Sequence, residues 1–112
     1  MSNAIDVNLD NFATEVRDYS GPVLIDFWAP WCSPCRVMGP IVDQIANEMG
    51  DRIKVVKINI DQNPDLAMRY QVKGIPAFAV IQKGEIVDAH VGASTKAAFQ
   101  MFVERALGEN LI

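Results

Sequence analysis

Apolar positions along the chain repeat with two periods, one near two and one near three and a half residues, and the alternation of the two predicts the elements. A short extended piece at 5–7 is followed by Leu9, Phe12 and Val16 at helical spacing through 9–19, with Asn8 or Asp10 able to cap and Gly21-Pro22 ending the run. Residues 23–29 read VLIDFWA, apolar on both faces except at Asp26, as expected of a central strand covered by helices on each side. A long helix is predicted over 32–49, with Val37, Met38, Ile41, Ile45 and Met49 inward and a kink at Pro40, whose ring removes a hydrogen bond. IKVVKINI at 53–60 predicts the next strand, and Asp61-Gln62-Asn63-Pro64 a turn and the start of a short helix to Tyr70. VKGIP at 72–76 reads as irregular. AFAVIQ (77–82) and EIVDAHV (85–91) predict a hairpin across Lys83-Gly84, with His90 pointing outward. A last helix is expected over 95–107, with Ser94 as N-cap, Gly108 as stop, and Ala98, Phe99, Phe102, Val103 and Leu107 inward.

The order β-α-β-α-β-α-β-β-α places the chain in the α/β class. Parallel crossovers come first and an antiparallel hairpin last, which predicts a three-layer α/β/α sandwich around a mixed sheet of about five strands with four helices. At 112 residues, half of them hydrophobic, the length suits one domain over 1–112, and no repeat or low-complexity linker divides it.

Charge then removes some functions. Ten Lys and Arg against fourteen Asp and Glu give a net charge of −4, the wrong sign for a protein that tracks nucleic-acid phosphates. Apolar runs fall short of the roughly 20 residues of a membrane span, and the first residues lack the basic start and apolar stretch of a signal peptide, so the cytoplasm is the expected compartment. The two cysteines stand close together, which excludes a disulfide framework and leaves metal binding or redox chemistry. A zinc site needs four ligands, and beyond the pair only His90 and scattered carboxylates remain, so no metal is expected.

Trp31-Cys32-Ser33-Pro34-Cys35 falls where a buried strand hands over to a helix. Unpaired N–H groups and the positive dipole end at a helix start stabilise a Cys32 thiolate. A spacing of three puts Cys35 one turn on along the same face, within disulfide reach. Pro34 in the first turn loses no hydrogen bond and stiffens the segment between the sulfurs. Asp26 is costly to ionise in an apolar strand and should have a raised pKa, suiting it to proton exchange near neutrality; a buried, hydrogen-bonded structural acid is the alternative. Lys57 alternates onto one face of the next strand, where it either tempers the desolvation of Asp26 or ends the strand in solvent.

WCSPC after VLIDFWAP, then KINIDQNP, GIPAFAV and Gly92 resemble the thioredoxin family over nearly the whole chain. The resemblance implies the thioredoxin fold and a protein-disulfide reductase with no bound cofactor beyond a reversible Cys32–Cys35 disulfide. It also implies disulfide-containing substrate proteins and recharging by a thioredoxin reductase. Carried over, Cys32 is the exposed nucleophile, Cys35 the buried resolving thiol, and Asp26 its base. Pro76 resembles the family's cis-proline, and with Trp31, Ile75, Gly92 and Ala93 it implies a flat apolar platform on which an extended substrate adds as a strand. Ser33 replaces the glycine common between the cysteines, where the intervening residues tune reducing strength along with Pro34, and Ala77 stands where threonine is usual. A monomer is expected. A different class of function, a thioredoxin-fold binding module or subunit with secondary redox activity, fits the same motifs, and an oxidant or isomerase would instead want an exported chain.

Overall fold

The computed structural model describes residues 2–108. Strands β1 (Ile5–Asp6), β2 (Val23–Trp28), β3 (Lys54–Asn59), β4 (Ala77–Gln82) and β5 (Glu85–Val91) form a single sheet in the order β1-β3-β2-β4-β5. β1 and β2 run parallel to β3, while β4 lies antiparallel to both β2 and β5. The helices are a five-residue π-helix over Ala13–Arg17, α1 (Ser33–Glu48), α2 (Pro64–Arg69) and α3 (Lys96–Ala106). This is the predicted element order, with the sheet mixed in the predicted sense.

β2 is central because its side chains alternate between two apolar cores. Leu24 packs with Met38, Val42, Ile45, Phe78 and Phe99 on one face; Ile25 and Phe27 pack with Phe12, Val16, Val56 and Leu66 on the other. Burial of a Leu or Ile side chain contributes roughly 1.5–3 kcal/mol, so these two faces fix the layers. β2 cannot slip by one residue without exchanging them.

Several expectations are corrected. The first helix is shorter than predicted and wound more widely, with the Asp18 N–H donating to the Ala13 carbonyl at 2.8 Å. Asn8 caps the turn that leads into it, as expected, its Oδ1 accepting from the N–H groups of Asp10 and Asn11 and its carbonyl from the Phe12 N–H at 2.9 Å, while Leu9 is 58% exposed. On α1 the buried stripe runs through Met38, Val42, Ile45 and Ala46, and Val37, one residue off it, is 62% exposed. α3 is capped by Thr95, whose hydroxyl accepts from the Ala98 N–H at 3.1 Å; Ser94 spends its own N–H on the Met38 sulfur, and Ala98 lies exposed. His90 turns inward. It stands opposite Phe78 in the β4–β5 register and stacks between that ring and Phe102, because a residue paired with a core residue shares its face. The hairpin does turn at Lys83-Gly84, both left-handed, with φ of 53° and 80°.

Candidate active site

The turn after β2 delivers the cysteines. The Cys32 N–H donates to the Ala29 carbonyl at 3.1 Å and the Arg36 guanidinium to the Pro30 carbonyl at 2.8 Å, which closes the turn from both ends. Cys32 then takes the extended N-cap conformation of α1, and its sulfur accepts the Cys35 N–H at 3.2 Å. A sulfur in that position receives an otherwise unpaired helix donor, which favours its anion over the thiol. Pro34 lies in the first turn, as expected. The two cysteines are joined as a disulfide with their Cα atoms 5.2 Å apart.

Exposure departs from the expected contrast. Cys32 is 4% and Cys35 5% exposed, so with the bond closed neither is an open thiol. Both pack with Ala29 against Trp28, Ile60 and Ile75, and the ring of the disulfide folds the Cys32 sulfur back over the helix start. The asymmetry lies in what surrounds each cysteine. Cys32 is flanked by exposed Trp31, Ser33 and Pro34, whereas Cys35 lines an inner cleft of about 260 Å³ with Asp26, Trp28, Arg36, Gly39 and Lys57.

Asp26 is buried in β2, and its Oδ1 has no hydrogen-bond partner among the described residues. Burial pushes its carboxyl up, the Lys57 charge pulls it down and the Asp43 charge pushes it up again, leaving it at about 7. Lys57 is its direct register partner on β3. The lysine is therefore beside Asp26, as one of the two sequence readings holds, but its ammonium pairs with Oδ1 of Asp43 on α1 at 2.9 Å.

Ile75 packs beside the cysteines, and the Ile75-Pro76 bond is cis. The Pro76 carbonyl accepts the Gly92 N–H at 2.8 Å, which draws the start of β4 and the end of β5 together. Pro76 itself is buried, Ile75 and Gly92 are half-buried and Ala93 is exposed. Trp31 is 65% exposed, and its indole N–H donates to both carboxylate oxygens of Asp61 at 3.0 and 3.1 Å.

The profile described as Thioredoxin matches residues 3–105. Thioredoxin 1 of Nostoc sp. is 45% identical over 107 residues, covering 96% of this chain and all of the relative. Thioredoxin of Acidithiobacillus ferridurans is 44% identical over 108 residues, with the same coverage, and the chloroplastic M-type thioredoxin of Chlamydomonas reinhardtii is 45% identical over 101, spanning 90% of this chain and 72% of its own. The chain belongs to the thioredoxin family. It is a dithiol-disulfide oxidoreductase of the protein-disulfide reductase type, with the thioredoxin fold and a redox-active cysteine pair. Its substrates are disulfide-bearing proteins, and a reductase restores the dithiol. Among the described residues no group of three or more His, Cys, Asp and Glu could hold a metal ion, and no helix is long and apolar enough to cross a membrane.

Two acids of this thioredoxin-family site escape sequence reading. Asp61 belongs to a turn segment, where an acid has an ordinary local role, and nothing in the linear order points it at Trp31 thirty residues away. Asp43 lies on a helix at a position that reads as solvated, and only the α1–β3 packing brings it to Lys57.

Proposed function

We propose that Cys32 is the attacking sulfur, Cys35 the resolving sulfur and Asp26 the base that takes the Cys35 proton. The observation that carries this is the Cys32 sulfur seated at the N-cap of α1, accepting the Cys35 N–H, with Asp26 in the cleft behind Cys35. The Cys32 thiolate attacks one sulfur of a substrate disulfide, forming a mixed disulfide as the other substrate sulfur leaves as a thiolate. Cys35 passes its proton to Asp26 and attacks the Cys32 sulfur. The mixed disulfide breaks, the second substrate thiolate leaves, and the Cys32–Cys35 bond carries the two electrons' worth of oxidation. A base titrating near 7 suits that transfer, since it is half ionised at neutral pH and still basic enough to accept a thiol proton.

Trp31, Ile75, Pro76, Gly92 and Ala93 form the substrate platform. The apolar contact of Ile75 with the cysteines, the Gly92 N–H held by the Pro76 carbonyl and the exposed indole of Trp31 support that reading. Ser33 and Pro34, exposed between the sulfurs, tune the reducing strength. The reading extends to one domain over 1–112, working as a cytoplasmic monomer with no bound cofactor, recharged by a thioredoxin reductase, and binding neither nucleic acid nor membrane. The net charge of −4 and the reducing poise of the cytosol support it.

Insulin reduction driven by dithiothreitol tests the assignment. Cys32→Ser should reduce turnover to the uncatalysed rate while the fold, followed by circular dichroism, is kept. Full activity in that variant would remove Cys32 from the mechanism, and retained partner binding without any wild-type turnover would favour the binding-module reading.

A further inference from the structure

Lys57 and Asp26 are register partners on neighbouring parallel strands, both line the cleft behind Cys35, and yet they are not paired. The Lys57 ammonium sits 2.9 Å from Asp43 Oδ1, while Asp26 Oδ1 is buried with no hydrogen-bond partner among the described residues. A lysine beside a buried carboxylate ordinarily closes on it, because attraction between unit charges grows several-fold as the dielectric falls. Here a second carboxylate competes. Asp43 projects from α1, the helix that carries Cys35, and its pair with Lys57 is the more exposed end of the arrangement, with side chains 38% and 19% accessible.

The other charged groups facing the cleft are Asp6 from β1 and Arg36 from α1. The Arg36 guanidinium is engaged by the Pro30 carbonyl. Partial burial raises the Asp43 carboxyl, but hydrogen bonds from Lys57 and Ser2 and the Lys57 charge outweigh it, so Asp43 lies below its ordinary value and is ionised at neutral pH.

We propose that Asp43 is a positioning residue for proton transfer: it holds the Lys57 ammonium away from Asp26, leaving that carboxyl unpaired and free to exchange a proton with Cys35. The role is indirect, since Asp43 touches neither sulfur. It rests on the reading of Asp26 as the Cys35 base. Without Asp43 the ammonium turns to Asp26, the ionised form is favoured and the base weakens.

The test follows the Asp26 carboxyl by carbon-13 NMR titration of the oxidised full chain, in wild type, Asp43→Asn, Lys57→Met and the double variant. Asp43→Asn should lower the Asp26 midpoint by about one pH unit. In the Lys57→Met background the same substitution should move it by less than half as much, because the lysine carries most of the effect. Asp43→Glu, which keeps a carboxylate within reach, should return the wild-type midpoint. An unmoved midpoint in Asp43→Asn, or an equal shift in both backgrounds, would overturn the restraint on Lys57. A separate readout is the rate at which Cys35 resolves a mixed disulfide preformed on Cys32, expected in Asp43→Asn to fall about threefold at about pH 8.5, where Asp26 is ionised in both proteins and only its strength as a base differs. A lowered midpoint with an unchanged rate would overturn Asp26 as the base and the catalytic part of the proposal with it, leaving the restraint on the lysine standing.

Discussion

Asp26→Asn replaces a buried acid by its near-isostere, so packing is preserved and ionisation is removed. The Asp26 carboxyl titrates at about 7 in the fold against an ordinary 3.8. Between those values the folded chain keeps a proton that the unfolded chain has released. Stability contributed by this group therefore falls as pH rises through that window and is lowest above it. The full gap corresponds to roughly 4 kcal/mol, of which roughly 2–3 kcal/mol is expressed between pH 5 and pH 8. An asparagine at the same place also buries a polar group with incomplete partners, which costs about 1–3 kcal/mol. The net gain for Asp26→Asn at pH 8 is accordingly about 1–3 kcal/mol. Urea unfolding of the oxidised protein at a series of pH values measures it. The difference between variant and wild type should grow from pH 5 to pH 8, while the variant turns over insulin more slowly. A constant difference across that range, or a variant less stable than wild type at pH 8, would refute an acid held in its proton-bound form by burial.

Three further outcomes follow from local geometry. Asp61→Ala releases the Trp31 indole from its two carboxylate contacts; KM for insulin should rise about threefold with little change in kcat, the loss of one charge-assisted hydrogen bond spread over a surface residue. Thr95→Ala removes the hydroxyl that caps α3 and should lower unfolding stability by about 1 kcal/mol without altering insulin turnover. Gly84→Ala puts a side chain at φ 80° in the β4–β5 turn and should cost about 1 kcal/mol, read as a lower urea midpoint.

Much of this architecture is legible in the linear order because burial imposes it. The apolar run around Asp26 can sit only in the middle of a covered sheet, and the Lys83-Gly84 turn can join only an antiparallel pair. Cys32 and Cys35 are readable for the same reason, since their spacing and their place after a buried strand are local facts. What the chain order hides depends on long-range packing. His90 faces Phe78 and Phe102 because of a register that local alternation does not set. Thr95, and not Ser94, has its hydroxyl under the Ala98 N–H, while the Ser94 N–H reaches the Met38 sulfur, a contact across 56 residues that the linear order does not show. The partner of Lys57 is likewise decided by which face of α1 meets β3. The burial of Cys32 with Ala29 against Trp28, Ile60 and Ile75 is also long-range packing, which the residue types do not disclose.

The division of labour between the two sulfurs is tested most directly by trapping. Cys35→Ser, reduced and mixed with a disulfide-bearing protein, should accumulate a one-to-one adduct that intact-mass and peptide analysis place on Cys32. Absence of that adduct, with a stable adduct forming through Cys35 in Cys32→Ser instead, would contradict the assignment.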